Sequence, residues 1–208
     1  MTPLKLQISF ENVFKKFGDR EVIRDISCDI QHGQVLVVAG PNGSGKSTFL
    51  RIAAGLLKPD RGEVHISLND IRFDPQTYRT QLGYLSPDLT FYNELSAVEN
   101  LLFFSSLRGI RMQHDDLASI LEMVGLRGRG RDPVSAYSTG MVQRLKFAFA
   151  VLHHPPLLLL DEPTSYLDES GYRMAERIVK SYKQNGIVMI ATNDPKEKEW
   201  GDLTLTLG

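Results

Sequence analysis

The sequence of 208 residues has little cysteine and no long apolar run. A single cysteine, Cys28, excludes an internal disulfide framework and is typical of proteins that work in a reducing compartment. No apolar stretch approaches the roughly 20 residues needed to cross a bilayer, and the N-terminus lacks the apolar core of a signal peptide. We therefore expect a cytoplasmic protein in which Cys28 is a small packing residue and not a catalytic thiol.

The sequence also lacks an excess of charge of either sign, because 24 Lys and Arg residues stand against 25 Asp and Glu residues. Binding to a polyanion usually needs a clustered basic face, whereas the basic residues here are interspersed with acidic ones. We therefore expect no nucleic acid partner. The hydrophobic fraction of 42% is that of an ordinary globular protein, and the length suits one compact domain with a real core.

Three short apolar runs, at residues 35–39, 157–160 and 187–191, predict strands that are buried on both faces of a parallel sheet. Residues 172–182, between the second run and the third, have the character of a helix. This strand, helix, strand order indicates a right-handed parallel α/β core. A further helix is expected at residues 46–57, directly after the first run.

The regions outside these runs differ from the parallel core. Near the N-terminus, alternation with polar residues predicts a half-buried strand that contains Leu4, Leu6, Ile8 and Phe10. From about residue 96 to 125 helical spacing takes over, and it recurs at Leu145, Ala148, Phe149 and Leu152. We expect His153 and His154, at the end of this last helix, to be cations that interact favourably with the negative end of the helix dipole. The layout predicts an α/β core that is split by a small helical insert.

Residues 40–48, Gly-Pro-Asn-Gly-Ser-Gly-Lys-Ser-Thr, follow the first apolar run and contain the P-loop pattern. Glycines let successive N–H groups point at phosphate oxygens, and the next helix presents its positive dipole end to the same anion. Lys46 can reach the β- and γ-phosphates, and the Ser47 hydroxyl can bind Mg²⁺. The pattern therefore predicts that ATP or GTP is bound by Gly40, Pro41, Asn42, Gly43, Ser44, Gly45, Lys46, Ser47 and Thr48.

Two acidic residues, Asp161 and Glu162, follow the second apolar run, at a strand end where α/β proteins form ligand crevices. Asp161 can hold the hydrated Mg²⁺ that bridges the β- and γ-phosphates. The neighbouring carboxylate of Glu162 points elsewhere and can polarise an attacking water as general base. Two acids at a strand end can also simply face solvent, but together with the P-loop they predict a catalytic set of Lys46, Asp161 and Glu162.

Five motifs, taken in this order along the chain, resemble those of the ATP-binding cassette (ABC) ATPases. The first two are Phe17 before Gly18-Asp19, as the aromatic A-loop residue, and residues 40–48, as Walker A. The third is Tyr-Ser-Thr-Gly-Met at 137–141, which stands in place of the Leu-Ser-Gly-Gly-Gln signature and is followed by Gln143-Arg144. The last two are Leu-Asp-Glu-Pro-Thr at 160–164, as Walker B, and Ser-Tyr-Leu-Asp at 165–168, as the D-loop. The resemblance covers essentially the whole chain.

The resemblance implies an α/β fold of the P-loop NTPase (RecA-like) type, with a parallel-sheet core, an N-terminal antiparallel β portion and a helical subdomain insert. It implies a single ABC ATPase domain over residues 1–208. Residues 1–87 and 151–208 would form the catalytic core, and about 88–150 the helical subdomain with the signature. The cofactors implied are ATP and Mg²⁺.

The resemblance also implies a mechanism. Two ATPase subunits, as a homodimer or a heterodimer, pair head to tail, and each ATP lies between one P-loop and the other subunit's signature. Ser138 and the N–H groups near Gly140 would cap the γ-phosphate in trans, although an ordinary N-capped helix beginning at Ser138 is the alternative interpretation. Phe17 would stack on adenine; the alternative is a core aromatic packed with Phe14.

Besides Thr139 and Met141 in the signature, two sensor positions depart from the family pattern. Pro87 and Asp88 follow the Gly-Tyr strand where a glutamine is usual, so that Pro87 replaces it or Asp88 offers a carboxylate to the metal. Asn193 stands where a switch histidine is usual. Asparagine can hydrogen-bond a γ-phosphate but cannot take up a proton near neutral pH. Because Glu162 is retained, we still expect an active ATPase.

The expected role is the ATP-hydrolysing subunit of an ABC transporter, an exporter, peripheral on the cytoplasmic face of the inner or plasma membrane. Its transmembrane permease subunit would dock on the helical insert. The alternative is a non-transport ABC ATPase that acts on nucleic acid or the ribosome, but the chain has neither the long coiled coil nor the second cassette of those proteins. The signature variant and Ala-Thr-Asn-Asp at 191–194 are similar to the haem-exporter ATPases of cytochrome c maturation, and small exporter ATPases for lipids, polysaccharides or drugs look alike.

Overall fold

The computed structural model describes residues 5–208, apart from the side chains of Pro75 and Thr77. The strands are β1 (Leu6–Phe17), β2 (Arg20–Gln31), β3 (Val35–Ala39), β4 (Arg61–Leu68), β5 (Ile71–Phe73), β6 (Leu82–Leu85), β7 (Leu157–Asp161), β8 (Ile187–Thr192) and β9 (Leu203–Thr206). The helices are α1 (Lys46–Ala53), α2 (Pro75–Tyr78), α3 (Ala97–Leu107), α4 (His114–Met123), α5 (Thr139–Val151), α6 (Glu169–Lys183) and α7 (Pro195–Lys198).

A parallel sheet in the order β6-β7-β8-β3-β9 forms the centre of the molecule. Every residue of β3, β7 and β8 is buried, which explains why these strands are apolar runs without alternation. The predicted α/β core is therefore confirmed. These three strands are parallel and β8 lies between β3 and β7, so their carboxyl ends lie side by side at one edge of the sheet.

An antiparallel sheet in the order β2-β1-β4-β5 contains the N-terminal strand. Leu6, Ile8 and Phe10 of β1 are buried, as the alternation predicts, whereas Leu4 lies outside the described residues. The ring of Phe10 stacks on that of Phe49 in α1, with centroids 4.4 Å apart. This sheet therefore packs against the helix that follows the P-loop, and the predicted antiparallel portion is confirmed.

The helices agree with the spacing of the apolar residues, but α1 is shorter than expected. Helix α1 ends at Ala53 and not at residue 57, because Gly55 adopts the left-handed conformation (φ 67°) that ends helices. Helix α5 packs against β6 as well as against α4, so it joins the helical region to the parallel sheet. In the part of the chain that the structure describes, no helix is long and apolar enough to span a bilayer.

His153 differs from the expectation of a cationic helix end. Its ring nitrogens lie 3.3–3.4 Å from the Arg108 guanidinium, which also covers the ring of Phe149. Burial, together with the positive charge of Arg108, lowers the pKa of His153 to about 4. The imidazole is therefore neutral at physiological pH, and the expectation that His153 favours the dipole as a cation was wrong.

Candidate functional site

The P-loop connects the end of β3 to the start of α1, and its backbone leaves no room for side chains at two glycines. A Cβ atom on Gly40 would come within 2.3 Å of the carbonyl oxygen of Leu207. Gly45 has a φ of 105°, and a Cβ atom there would lie 2.7 Å from a methyl carbon of Val22. Glycine is therefore required at both positions, by conformation and by space.

The Lys46 ammonium lies inside this loop. The residue is 5% exposed, and its Nζ donates to the carbonyl oxygens of Gly40 and Pro41, each at 3.0 Å. The Ser44 hydroxyl is buried and has no hydrogen-bond partner among the described residues. An unpaired buried hydroxyl costs about 1–3 kcal/mol. A cation and a free hydroxyl under glycine-rich backbone fit phosphate oxygens.

The carboxylate of Asp161 lies at the end of β7 and is more deeply buried than the Lys46 ammonium, with 1% of the residue exposed. Burial raises the pKa of Asp161, and the nearby Ser47 hydroxyl opposes this effect only in part. Neither carboxylate oxygen has a hydrogen bond of normal geometry within the described structure. A carboxylate with free lone pairs beside a hydroxyl is a ligand set that Mg²⁺ accepts, so Asp161 and Ser47 fit the metal.

Glu162 directly follows Asp161 and has an unusual backbone conformation. Its φ is 49°, in the left-handed region that costs a non-glycine residue about 1–3 kcal/mol. Its N–H group donates to the carbonyl oxygen of Ala191 in β8 at 2.9 Å, and the side chain is half-buried. Strain of this kind is common at active sites because the surroundings fix a reactive group in one place.

Asn193 extends from β8 to the P-loop. Its Nδ2 donates to Oδ1 of Asn42 at 3.1 Å. The structure therefore brings the residue in the switch-histidine position against the phosphate-binding loop, as expected where the carboxyl ends of neighbouring parallel strands meet.

The structure gives Asp88 and Pro87 other partners. The exposed Asp88 carboxylate is paired with the guanidinium of Arg51 in α1, and the Pro87 carbonyl oxygen accepts from Nζ of Lys146 at 2.6 Å. Asp88 thus forms an ion pair with Arg51, whereas no ion pair of Asp161 is found among the described residues. Of the two acids that the sequence offers to the metal, Asp161 fits better.

The aromatic residues at the end of β1 have different surroundings. Phe17 is 51% exposed, and Nζ of Lys15 lies 5.6 Å from its ring centroid. Phe14 is half-buried, and the Arg61 guanidinium covers its ring at 4.3 Å. Phe17 is therefore not a core aromatic, and its ring is accessible for stacking.

We expect Phe17→Ala to weaken ATP binding by about tenfold to a hundredfold, because stacking on a base contributes about 1–3 kcal/mol. Titration of the purified chain with a fluorescent ATP analogue measures this change. Phe14→Ala is the matched control, and it should leave the dissociation constant unchanged. An equal loss of affinity in both variants would show that the β1 end acts through its packing and not through stacking by Phe17.

Ser138 and Gly140 lie at the start of α5. The Ser138 hydroxyl accepts from the Met141 N–H at 3.2 Å and so caps the helix, as the alternative interpretation expects. A Cβ atom on Gly140 would come within 3.0 Å of the carbonyl oxygen of Tyr166, in the D-loop segment. No hydrogen bond joins Ser138 or Gly140 to residues 40–48 in the described part of the molecule.

Glu197 is a buried acid that sequence reasoning missed. It lies in α7, shortly after Asn193, and is 1% exposed. Its Oε1 accepts from the Thr164 N–H at 3.0 Å and also from the Thr164 hydroxyl, while burial raises the pKa of its carboxyl. Glu197 therefore joins the segment after Glu162 to the segment that carries Asn193. The alternating Lys and Glu residues of α7 give no signal that one of them is buried.

Comparison with known proteins identifies the family of the chain. The family described as "ABC transporter" matches residues 23–165. The chain is 37% identical over 196 residues to the uncharacterised ABC transporter ATP-binding protein YdbJ of Bacillus subtilis, in an alignment that covers 92% of this chain and 63% of that protein. It is 31% identical to the lantibiotic transport ATP-binding protein SrtF of Streptococcus pyogenes, covering 92% of this chain and 82% of that one.

The fold is shared with solved structures as well. An ATP-binding cassette solved as a dimer, in a post-hydrolysis state with ADP and Pi, has a TM-score of 0.85 and 26% sequence identity, over 96% of this chain and 94% of that one. The chain spans about three fifths of the length of the first curated relatives it matches.

Proposed function

The chain belongs to the family of ABC transporter ATP-binding proteins, and on that premise we propose that it binds and hydrolyses ATP as the nucleotide-binding subunit of an ABC transporter. One observation carries the catalytic part of the proposal. The Lys46 ammonium, the unpaired Asp161 carboxylate and the constrained Glu162 lie at the carboxyl ends of β3 and β7, strands separated only by β8.

The chemistry assigns one role to each of these groups. Lys46 and the N–H groups of the P-loop bind the phosphate oxygens. Ser47 and Asp161 would hold Mg²⁺, Asp161 through water. The metal, when bound, neutralises charge on the β- and γ-phosphate oxygens. Glu162 accepts the proton of the attacking water. Asn193 hydrogen-bonds the γ-phosphate without taking up a proton.

A head-to-tail dimer, either a homodimer or a heterodimer, completes the site in this proposal. Ser138 and Gly140 would cap the γ-phosphate of ATP bound to the other subunit. Two findings support the trans role. The described residues of the P-loop form no hydrogen bond with Ser138 or Gly140 of the same chain, and a cassette of the same fold has been solved as a dimer.

The membrane subunit would dock on the helical region, which presents large apolar side chains to solvent. Tyr92, Phe103 and Leu107 are 51%, 38% and 68% exposed, and the rings of Tyr92 and Phe103 meet edge to face at 5.2 Å. Exposed apolar clusters of this kind mark interaction sites. The chain would then lie peripherally on the cytoplasmic face of the membrane.

We infer export as the direction of transport because the relatives include proteins named for lantibiotic transport and, provisionally, for multidrug transport. These names describe the relatives and leave the cargo of this chain open. The similarity to haem-exporter ATPases stays a prediction.

Co-expression with a candidate permease, a membrane protein whose gene neighbours that of this chain, tests the proposal. We expect the two to purify together and the membrane protein, in lipid vesicles, to stimulate ATP hydrolysis. Leu107→Glu should abolish the stimulation and leave the basal rate unchanged, because a buried unpaired charge disfavours docking. Ile71→Glu, at a residue 62% exposed in β5, is the matched control and should retain stimulation. If DNA or ribosomes stimulate ATP hydrolysis and the membrane protein does not, the chain is the non-transport ATPase of the alternative interpretation.

A further inference from the structure

Gln143 is a buried amide on α5, little more than one helical turn after Ser138. It is 6% exposed. Its Nε2 donates to the carbonyl oxygen of Pro163 at 2.8 Å and lies 3.4 Å from that of Glu162. The side chain therefore joins the helix that begins at Ser138 to the segment that carries the catalytic base.

The Glu162 segment depends on contacts of this kind. The left-handed φ of Glu162 is unfavourable unless its surroundings hold it. One support comes from Glu197, whose carboxyl accepts from the Thr164 N–H. A second support comes from Gln143, whose Nε2 donates to the Pro163 carbonyl oxygen and lies within 3.4 Å of that of Glu162. Without this donor, the buried Pro163 carbonyl loses a hydrogen bond and the segment loses one of these two supports.

Helix α5 can transmit a displacement of its first turn to Gln143. Its first turn, with Ser138 and Gly140, is at least partly exposed, while Leu145 and Phe147 further along are fully buried. Between these two parts, Gln143 lies on a continuous helix of 13 residues. A shift of the first turn is thus transmitted to Gln143 by the rigidity of the helix.

We propose that Gln143 is a positioning residue that couples the signature helix α5 to the catalytic base Glu162 of the same chain. This inference rests on the proposed function. Since the signature of one subunit contacts the ATP of the other, Gln143 connects the two ATP sites of the dimer. ATP captured in trans by Ser138 and Gly140 then determines how Glu162 is held in cis.

Two variants of similar size test this role. Gln143→Leu removes the donor and leaves an apolar side chain, and Gln143→Glu replaces the donor by a carboxylate. We expect kcat to fall by about tenfold, as for the loss of one buried hydrogen bond, with KM for ATP within about twofold of the wild-type value. We expect a Hill coefficient for ATP that is above 1 in the wild type and about 1 in both variants.

Gln184→Leu, at an exposed glutamine beyond α6, is the control and should behave as wild type. Thermal unfolding of each variant separates positioning from packing. A variant with lowered stability, raised KM and an unchanged Hill coefficient would indicate a merely structural Gln143 and overturn the proposal. If the wild type hydrolyses ATP and both variants keep its kcat and Hill coefficient, the proposal fails while the proposed function stands. A wild-type chain without ATPase activity overturns both.

Discussion

Glu162→Gln should lower steady-state ATP hydrolysis at least about 100-fold while leaving ATP binding intact. The amide has the size and shape of the carboxyl group but cannot accept the proton of the attacking water. The left-handed backbone of residue 162 is no less favourable for glutamine than for glutamate, and the contacts of its N–H and carbonyl groups do not involve the side chain. Phosphate release and fluorescent-nucleotide titration measure the two effects.

The same substitution should trap the ATP-bound dimer. If ATP joins two subunits and hydrolysis separates them, a chain that binds but does not hydrolyse accumulates as a dimer with ATP and stays monomeric with ADP. Size-exclusion chromatography with each nucleotide distinguishes these states. Glu169→Gln is the matched control, since Glu169 is exposed and, among the described residues, forms its ion pair with Arg173 one turn along α6. ATP turnover that survives Glu162→Gln undiminished would show that another group is the base.

The sequence predicts those parts of the site that follow from local order along the chain. Strands β3, β7 and β8 are buried on both faces, so their apolar runs are visible without any tertiary information. Once they are assigned to one parallel sheet, their carboxyl ends must meet. The neighbourhood of Lys46, Asp161 and Asn193 follows from this geometry.

Contacts between distant segments are not predictable in this way. Gln143 bonds to residues 19 and 20 positions further on, and Glu197 bonds to a residue 33 positions earlier. Neither pairing has a periodic signal, because only the packing of α5 and α7 brings the groups together. The ion pair of Asp88 with Arg51 and the burial of His153 against Arg108 have the same origin. Sequence alone therefore left two possibilities at residues 87 and 88 and assigned the wrong charge to His153.

Asp161→Asn should abolish ATP hydrolysis and at the same time stabilise the metal-free chain. In the proposed role of Asp161, loss of the carboxylate would remove a metal contact that contributes several kcal/mol to catalysis, so kcat should fall at least about 100-fold. The stabilisation has a separate cause. The folded chain buries Asp161, and among the described residues neither of its carboxylate oxygens has a hydrogen bond of normal geometry. An amide in that position carries no charge. We expect about 1–2 kcal/mol near neutral pH, or about 2–8 °C in Tm.

The stabilisation by Asp161→Asn should depend on pH in a direction that follows from the pKa of Asp161. Because burial raises the pKa of Asp161, ionisation is less favourable in the folded chain than in the unfolded one. The carboxylate thus destabilises the fold increasingly as the pH rises from about 4 through the raised pKa. In EDTA, the Tm advantage of Asp161→Asn should be largest near neutral pH and should shrink towards pH 4.

Asp202→Asn makes the same chemical change at a carboxyl group whose pKa is shifted in the opposite direction. Partial burial alone would raise the pKa of Asp202, but hydrogen bonds from Lys183 and from the Val35 N–H hold it below its usual value. Its ionised form therefore stabilises the fold above the unfolded pKa, and the substitution should lower the Tm at neutral pH. Mg²⁺ and ATP together should raise the Tm of the wild type and of Asp202→Asn more than that of Asp161→Asn. If Asp161→Asn lowers the Tm in EDTA as Asp202→Asn does, the Asp161 carboxylate has a stabilising partner and is not held free for the metal.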